Sequence, residues 1–459
     1  MTGSTAPVFG NASLPADGDA HLRGLEGVLR ERVRAAADLV TAARLAELVS
    51  GLVDLPSPTG DERPVAEHLV DRLSGAGLAA ELMPLDDRQA NAWGRLPGDG
   101  TGPSLMLYAP TDTVTTGDPA EDLPWIGAMR PDLQPCAEVR GDYVIGLGAS
   151  NPKGHAACVL AAVEAIAAAG IPLHGDLVAA FGAGGMPTNA RPGVDNPRLT
   201  TGQGAGCSFL LEQGVHTDYA VIAKPGWTVA WDEVGLTWFE IVVHGTHTYT
   251  GSRHRLPYRN TVRLAAEVVC RLEDWLPSYT ARHTGGQVAP QGMVANIHGG
   301  WTRTASFTPE NVRLMVDLRI SPRSTPSEVR RELEAEVARI AAELGTTVDV
   351  RPVLAIPGVA SDPDSWFVRR AVGAWEAVTG REHPRTDNGS GATDAAILRS
   401  RGIPTVRIGM PKITDAPFPV DFAMGMNAVD LREAAAFTRF LIRFALEVAS
   451  SDLDTAEVH

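Results

Sequence analysis

The sequence predicts an α/β protein: a mostly parallel sheet with helices on both faces, interrupted by a smaller α+β domain. Three observations predict it. Short apolar runs, SLMLY at 104–108, LVAAF at 177–181 and DYAVIA at 218–223, alternate with helical stretches. That alternation is the habit of parallel strands buried on both faces. Each run passes into a loop holding proline or glycine, and such sheets carry their functional loops after the strand C-termini. From about 235 to 352 the texture changes to strand–helix–strand–strand–helix–strand, the order of a small α+β sandwich.

The elements follow in order. Residues 1–21 read as a loose polar tail, without the basic flank and apolar stretch of a secretory signal. Residues 22–55 place apolar side chains at helical spacing, and Pro56-Ser57-Pro58-Thr59-Gly60 ends the pattern. Asp61-Glu62-Arg63 opens a helix to about Ser74. After the 104–108 strand and a long loop, Tyr143-Val144-Ile145-Gly146 leads to a glycine-containing turn. The helix that follows, about His155 to Ala168, is almost wholly small and apolar, so it should lie against the sheet. In the insert, strands are expected at 236–243, 293–297, 311–320 and 347–352, with helices at 260–275 and 326–344. The α/β texture then returns, with a helix near 365–378, a strand at 404–408 and a closing helix from about Leu431 to Ala449. The expected organisation is a tail over 1–21, an α/β domain over 22–234 and 353–459, and an insert over 235–352.

Composition narrows the function. The 459 residues carry 40 Lys+Arg against 55 Asp+Glu, a formal charge of −15, which disfavours nucleic acid or an anionic membrane as partner. No apolar run approaches a membrane span. Cys136, Cys158, Cys207 and Cys270 lie far apart with no CxxC pair, so neither a disulfide framework nor a thiolate zinc site is indicated. A reduced, cytoplasmic setting is expected.

Five short motifs stand in a telling order: Pro56-Ser57-Pro58-Thr59-Gly60-Asp61-Glu62; Trp125; Gly148-Ala149-Ser150 with Lys153-Gly154; Asp317-Leu318-Arg319 with Pro322-Arg323-Ser324; and Gly391-Ala392-Thr393-Asp394 with Gly402-Ile403-Pro404. Together they resemble the zinc-dependent aminoacylase and exopeptidase family, which includes acetylornithine deacetylase, succinyl-diaminopimelate desuccinylase and carboxypeptidase G. The resemblance covers nearly the whole chain from about residue 40. It implies two zinc ions held by histidine and carboxylate, a glutamate base, and an insert that serves as lid and dimerisation domain.

The implied ligand positions are vacant. The family's His-x-Asp triplet is Pro110-Thr111-Asp112 here, so only the orienting aspartate is kept. The bridging aspartate is Asn151. The acidic pair of base and ligand falls in Ala183-Gly184-Gly185-Met186, which holds no carboxylate. The next acidic ligand is Lys224, before Pro225, and no histidine occurs between His383 and His459. Lys224 supplies about the single positive charge that two dications and three carboxylates would leave, so it is a candidate to bind an anion or a carbonyl oxygen. No metal and no other cofactor is expected.

Each candidate has a plainer alternative. Asp112 reads either as a retained orienting residue or as a strand-end cap. Asn151 faces the cleft or fills space, and Lys224 is functional or structurally paired. Lys153 reads mainly as structural, Cys158 as packing. Ser150 has no histidine and acid that the sequence can place beside it. Gly184 and Gly185 are turn residues or the means of enlarging the cleft. Residues 245–254 resemble the family's lid loop, with Tyr249 in place of its histidine and Arg253 and His254 beside it. Asn296 and Arg319 lie in lid strands that hold a substrate carboxylate in relatives; a surface ion pair is the alternative for Arg319. Gly391 and Thr393 complete the expected substrate contacts.

Three functions stay open: a metal-independent enzyme acting on an amide of a small amino-acid-like molecule, a non-catalytic binding homologue, and a metal enzyme with ligands relocated to His155, His216 or Asp415. In the first, Asp112, Asn151, Lys224, Tyr249 and His254 are the catalytic candidates. The partner is a small molecule with amide and carboxylate groups, and a homodimer is expected by fold analogy.

Overall fold

The computed structural model describes residues 18–188, 201–386, 388–454 and 456. The chain forms two compact units: a larger one that runs to Trp231, resumes over Ser361–Pro384 and again from Thr393, and a smaller one of Asp232–Ala360 and Arg385–Ala392. The expected tail lies outside the described residues up to position 17. Its last residues do not behave as a tail, because Ala20 and His21 are buried in a short 3-10 turn.

In the larger unit the first amphipathic stretch is two helices, α1 (Gly27–Ala37) and α2 (Ala42–Val53). Thr41 separates them; its side chain accepts the Arg44 N–H and so caps α2. Helix α3 (Arg63–Gly75) carries Pro64 in its first turn, where no amide partner is needed. Next comes a hairpin that the sequence did not announce, β1 (Ala79–Pro84) and β2 (Ala90–Leu96). Strand β3 (Leu105–Pro110), helix α4 (Lys153–Ala168), strand β4 (Leu177–Gly182), helix α5 (Ala205–Glu212) and strand β5 (Tyr219–Ala223) follow.

The chain then builds the smaller unit: β6 (Gly235–His244), α6 (Thr261–His283), β7 (Gly292–Gly299), β8 (Asn311–Ile320), α7 (Pro326–Leu344) and β9 (Val348–Ile356). Its strands form one antiparallel sheet in the order β7-β8-β6-β9. Helix α6 runs on beyond 275, where the sequence ended it, and through Pro277, because Leu276 and Tyr279 continue its buried face. Thr325 and Glu328 close a capping box on α7. Residues 385–392 join this unit through a bridge between Val288 and Gly389 and a 3.0 Å hydrogen bond from the Gln291 amide to Ser390 Oγ.

The return to the larger unit adds α8 (Trp366–Thr379), α9 (Ala395–Ser400), β10 (Thr405–Ile408) and α10 (Leu431–Ala449). The sheet order is β1-β2-β4-β3-β5-β10, parallel through its last four members and antiparallel at the hairpin. Alternation along each strand divides the core. Leu105, Leu107, Leu177, Ala179, Val221 and Val406 pack with α4 and α10 on one face. Met106, Tyr108, Val178, Ala180, Ala220 and Ile222 pack with α5 and α9 on the other. This is the mixed α/β fold that the sequence predicts, with helices on both faces. No described helix is long and apolar enough to cross a membrane.

Candidate functional site

Three parallel strands end side by side, and their last residues carry the polar centre of the larger unit. Strand β3 delivers Pro110-Thr111-Asp112, β4 delivers Gly182 to Gly185, and β5 delivers Lys224. The loop before α4 adds Asn151. Lys224 Nζ donates to Asn151 Oδ1 at 3.3 Å, and both residues are buried, at 6% and 8% exposure. Sequence-predicted residues 151 and 224 therefore meet. Asp112 lies within electrostatic reach, since the Lys224 charge favours its ionised form.

Asp112 itself is fully buried and fully engaged. Oδ1 accepts the Gly185 amide at 2.7 Å, and Oδ2 accepts Thr59 Oγ1 at 2.7 Å and the Met186 amide at 3.0 Å. Burial raises its pKa, against the opposing pull of Thr59, the Met186 amide, Lys224 and the Gly185 amide. Glu62 holds the same turn from the other side. Its Oε1 accepts the amides of Gly60 at 3.0 Å and Gly184 at 2.8 Å, and Gln89 Nε2 at 3.3 Å. Burial, and then the Asp112 charge, push Glu62 up to about 8. The sequence showed Glu62 as part of a loop motif but assigned it no role.

The glycines at 184 and 185 do not enlarge the cleft, contrary to one of the two readings of the sequence. Gly184 has φ of +61° and a Cβ there would run into the Thr201 carbonyl. A Cβ on Gly185 would run into Pro110 and lie 3.1 Å from Asp394 Oδ2. The space of a side chain is occupied by the protein, and the turn uses its amides instead.

Other polar groups nearby are structural. Lys153 Nζ donates to the Leu55 carbonyl at 2.6 Å, and burial pushes its pKa down to about 7. His155 is buried with both ring nitrogens engaged: Nδ1 donates to the Ser150 carbonyl at 2.7 Å and Nε2 accepts the Met410 amide at 3.1 Å. Burial pushes it down to about 3, so it is a neutral imidazole bound to backbone. Tyr108 OH donates to Asp394 Oδ2 at 2.5 Å in full burial. Cys158 is packed against Met410. A cavity of about 250 Å³ opens beside Ser150, between residues 410–415 and 428–433.

A pair of zinc ions does not suit this set of side chains. The strand-end centre is made of an ammonium, an amide and a glycine turn, and its one aspartate has both oxygens occupied. Relocated ligands fare no better: His155 is engaged with backbone, His216 Nε2 donates to the Leu211 carbonyl at 2.9 Å, and Asp415 is exposed. Among the described residues no three His, Cys, Asp or Glu side chains are grouped to hold a metal ion.

The remaining candidates lie mostly in the smaller unit. Tyr249 is half exposed and packs on Phe307 with ring centroids 5.0 Å apart. His254 is exposed and accepts Arg255 Nε at 3.0 Å, and Arg253 stacks over Tyr258. Asn296 is exposed on edge strand β7, just after a bulge. Arg319 Nη2 donates to Asp317 Oδ2 at 3.0 Å, in a partly buried ion pair rather than a surface one. Gly391 is exposed, whereas Thr393, in the larger unit, accepts the Ala395 amide at 3.2 Å just ahead of α9.

Comparison with known proteins agrees with the motif order. The family model described as peptidase family M20/M25/M40 matches residues 106–419. The succinyl-diaminopimelate desuccinylase of Leptothrix cholodnii is 26% identical over 343 residues, covering 71% of this chain and 82% of that protein. Among solved structures, the di-peptidase Dug1p of Saccharomyces cerevisiae superposes with a TM-score of 0.66 at 12% identity, covering 92% of this chain and 99% of its own. A dinuclear metal binding peptidase of the M20 family from Bacillus subtilis gives a TM-score of 0.60 at 15% identity, covering 89% and 98%. At such identities the structural likeness bears on the fold.

Proposed function

The chain belongs to peptidase family M20/M25/M40, and from that premise we propose that it acts on an amide of a small amino-acid-like substrate without a dinuclear metal centre. The observation that carries this reading is the Lys224–Asn151 pair at the strand ends, 3.3 Å apart, where the family resemblance calls for metal ligands. Lys224 polarises the substrate carbonyl and stabilises the oxyanion as charge develops on it, and Asn151 fixes the ammonium. Asp112 holds the Gly184–Met186 turn, with the Lys224 charge within electrostatic reach, rather than moving protons, because its oxygens are already taken. Tyr249 is assigned, like Lys224, to the oxyanion, and His254 to proton transfer. The family resemblance assigns Arg253, Asn296, Arg319, Gly391 and Thr393 to the acyl-amino acid's carboxylate end.

Without a metal-activated water, the substrate's own amine is the natural nucleophile. Cyclisation, condensation or acyl transfer thus stand beside hydrolysis. The name of the desuccinylase relative supports N-acyl amino acids as the first compounds to try. A homodimer in the cytoplasm completes the proposal.

The test combines elemental analysis of the purified protein with turnover of N-acyl amino acids and dipeptides. Turnover should survive chelators and fall by about 10²–10³-fold in Lys224→Met, the scale of a lost oxyanion donor. Stoichiometric zinc together with chelator-sensitive turnover overturns the reading. The internal saturation of Asp112 favours one alternative, a non-catalytic binding homologue. Tight ligand binding without conversion, read by thermal shift and mass spectrometry, would establish that alternative.

A further inference from the structure

Two fully buried carboxyl groups grip one turn. Asp112 and Glu62 between them accept the amides of Gly184, Gly185 and Met186; of their other donors, Thr59 and Gly60 belong to the loop that carries Glu62, and Gln89 directly precedes β2. Their hydrogen bonds are distributed unequally. Both oxygens of Asp112 receive donors, and the Lys224 charge lies close by. On Glu62, Oε1 collects three donors, whereas buried Oε2 has no hydrogen-bond partner. Two adjacent buried carboxylates cannot both stay charged when one cation serves them. An oxygen without a donor is the place for the proton that relieves this repulsion.

We propose that Glu62 is a positioning residue, held as a neutral carboxylic acid, that pins the Gly184–Met186 turn and leaves Asp112 as the lone anion facing Lys224. The proposal rests on Lys224 and Asp112 being the polar centre of the site. The raised pKa of Glu62, about 8, agrees with the geometry. The groups facing it are few. Asp112 faces it from the end of β3, with the Lys224 ammonium of β5 beyond. Gln89, Thr201 and the amides of 60 and 184 are uncharged. On the same loop, Asp61 is tied to Arg88, and Arg63 to Glu67. Across the turn, Asp394 sits near Gly185 and accepts the Tyr108 hydroxyl.

The direction of the pH effect follows. A glutamate whose folded pKa lies above its unfolded value keeps a proton that the unfolded chain gives up. The stability it contributes is complete below the ordinary glutamate range and is lost as pH rises through about 8. Glutamine copies the neutral acid in shape and cannot ionise.

The experiment follows thermal unfolding of the full chain from about pH 5 to about pH 9 for the wild type, Glu62→Gln and Glu62→Ala, with infrared detection of a protonated carboxyl. The wild-type melting temperature should fall as the pH rises through about 8. Glu62→Gln should melt near the wild type at low pH and lose that fall, together with a protonated-carboxyl band. Glu62→Ala should melt lower at every pH, since it removes the carboxyl oxygen that accepts the Gly60 and Gly184 amides. The proposal is overturned if Glu62→Gln keeps the wild-type pH profile and the band, or if it melts as low as Glu62→Ala near pH 6. None of these readouts uses turnover, so a failed assay for amide chemistry leaves this result standing, and the reverse also holds.

Discussion

Gly185 sits where the strand-end turn meets Asp112, Pro110 and Asp394. Its amide is bound to Asp112 Oδ1, and its missing side chain leaves room for Pro110 and Asp394. Placing a carboxylate there as Gly185→Glu should therefore not create a zinc site. It should cost about 1–3 kcal/mol or more, the scale of overpacking a filled space. Chemical denaturation and elemental analysis of the variant check both halves, and a stable, zinc-loaded Gly185→Glu protein would contradict the account of the turn. At this scale legibility depended on range. The place of Lys224 was readable because it directly follows a strand, and Asn151 because it precedes a helix. Glu62 was not readable as buried, because its burial comes from Gly184, 122 positions along the chain. The glycine pair was read partly wrongly for the same reason, since what fills its space comes from Pro110 and Asp394.

Among the elements, periodic ones were legible and irregular ones were not. The 326–344 and 431–449 helices and the 311–320 strand were legible to the residue because their apolar spacing is local and unbroken. The β1–β2 hairpin was missed. Strand β1 is mostly exposed or half-buried, and β2 is buried at four of its first five positions without alternation. Short α5 and α9 carry too few turns to show a period. The most consequential element contact is on α10, where Arg443 Nε donates to Glu447 Oε1 at 2.8 Å with both side chains buried. Arg443 also donates to the His21 and Arg23 carbonyls, at 3.3 and 2.7 Å, and so fastens the start of the described chain. Arg443→Ala should lower stability by about 3–5 kcal/mol, because it leaves Glu447 charged and buried. The double change Arg443→Met with Glu447→Leu should recover most of that loss in a urea titration. Equal losses in both variants would mean that the backbone contacts, and not the stranded charge, set the cost.

For the whole molecule, the two units differ in how they are written into the chain. The smaller one owns a separate apolar core, drawn from Phe239, Ile241, Leu272, Leu314, Leu333 and their neighbours. Apart from Arg385–Ala392 it is continuous in sequence. A fragment of residues 232–360 should thus fold by itself, with a single cooperative thermal transition seen by circular dichroism and dispersed amide resonances. A broad, non-cooperative melt would show that residues 385–392 are required. The larger unit has no such independence, since β10 beside β5 and helices α8 and α10 all come after the insert. This interruption sets a schedule during synthesis. At about 5–20 residues per second, a ribosome leaves β5 as an unpaired sheet edge for on the order of ten to forty seconds before β10 emerges to cover it. Translation speed across the insert, rather than any property of the finished fold, then governs how long the strand that carries Lys224 is open to pairing with another nascent chain.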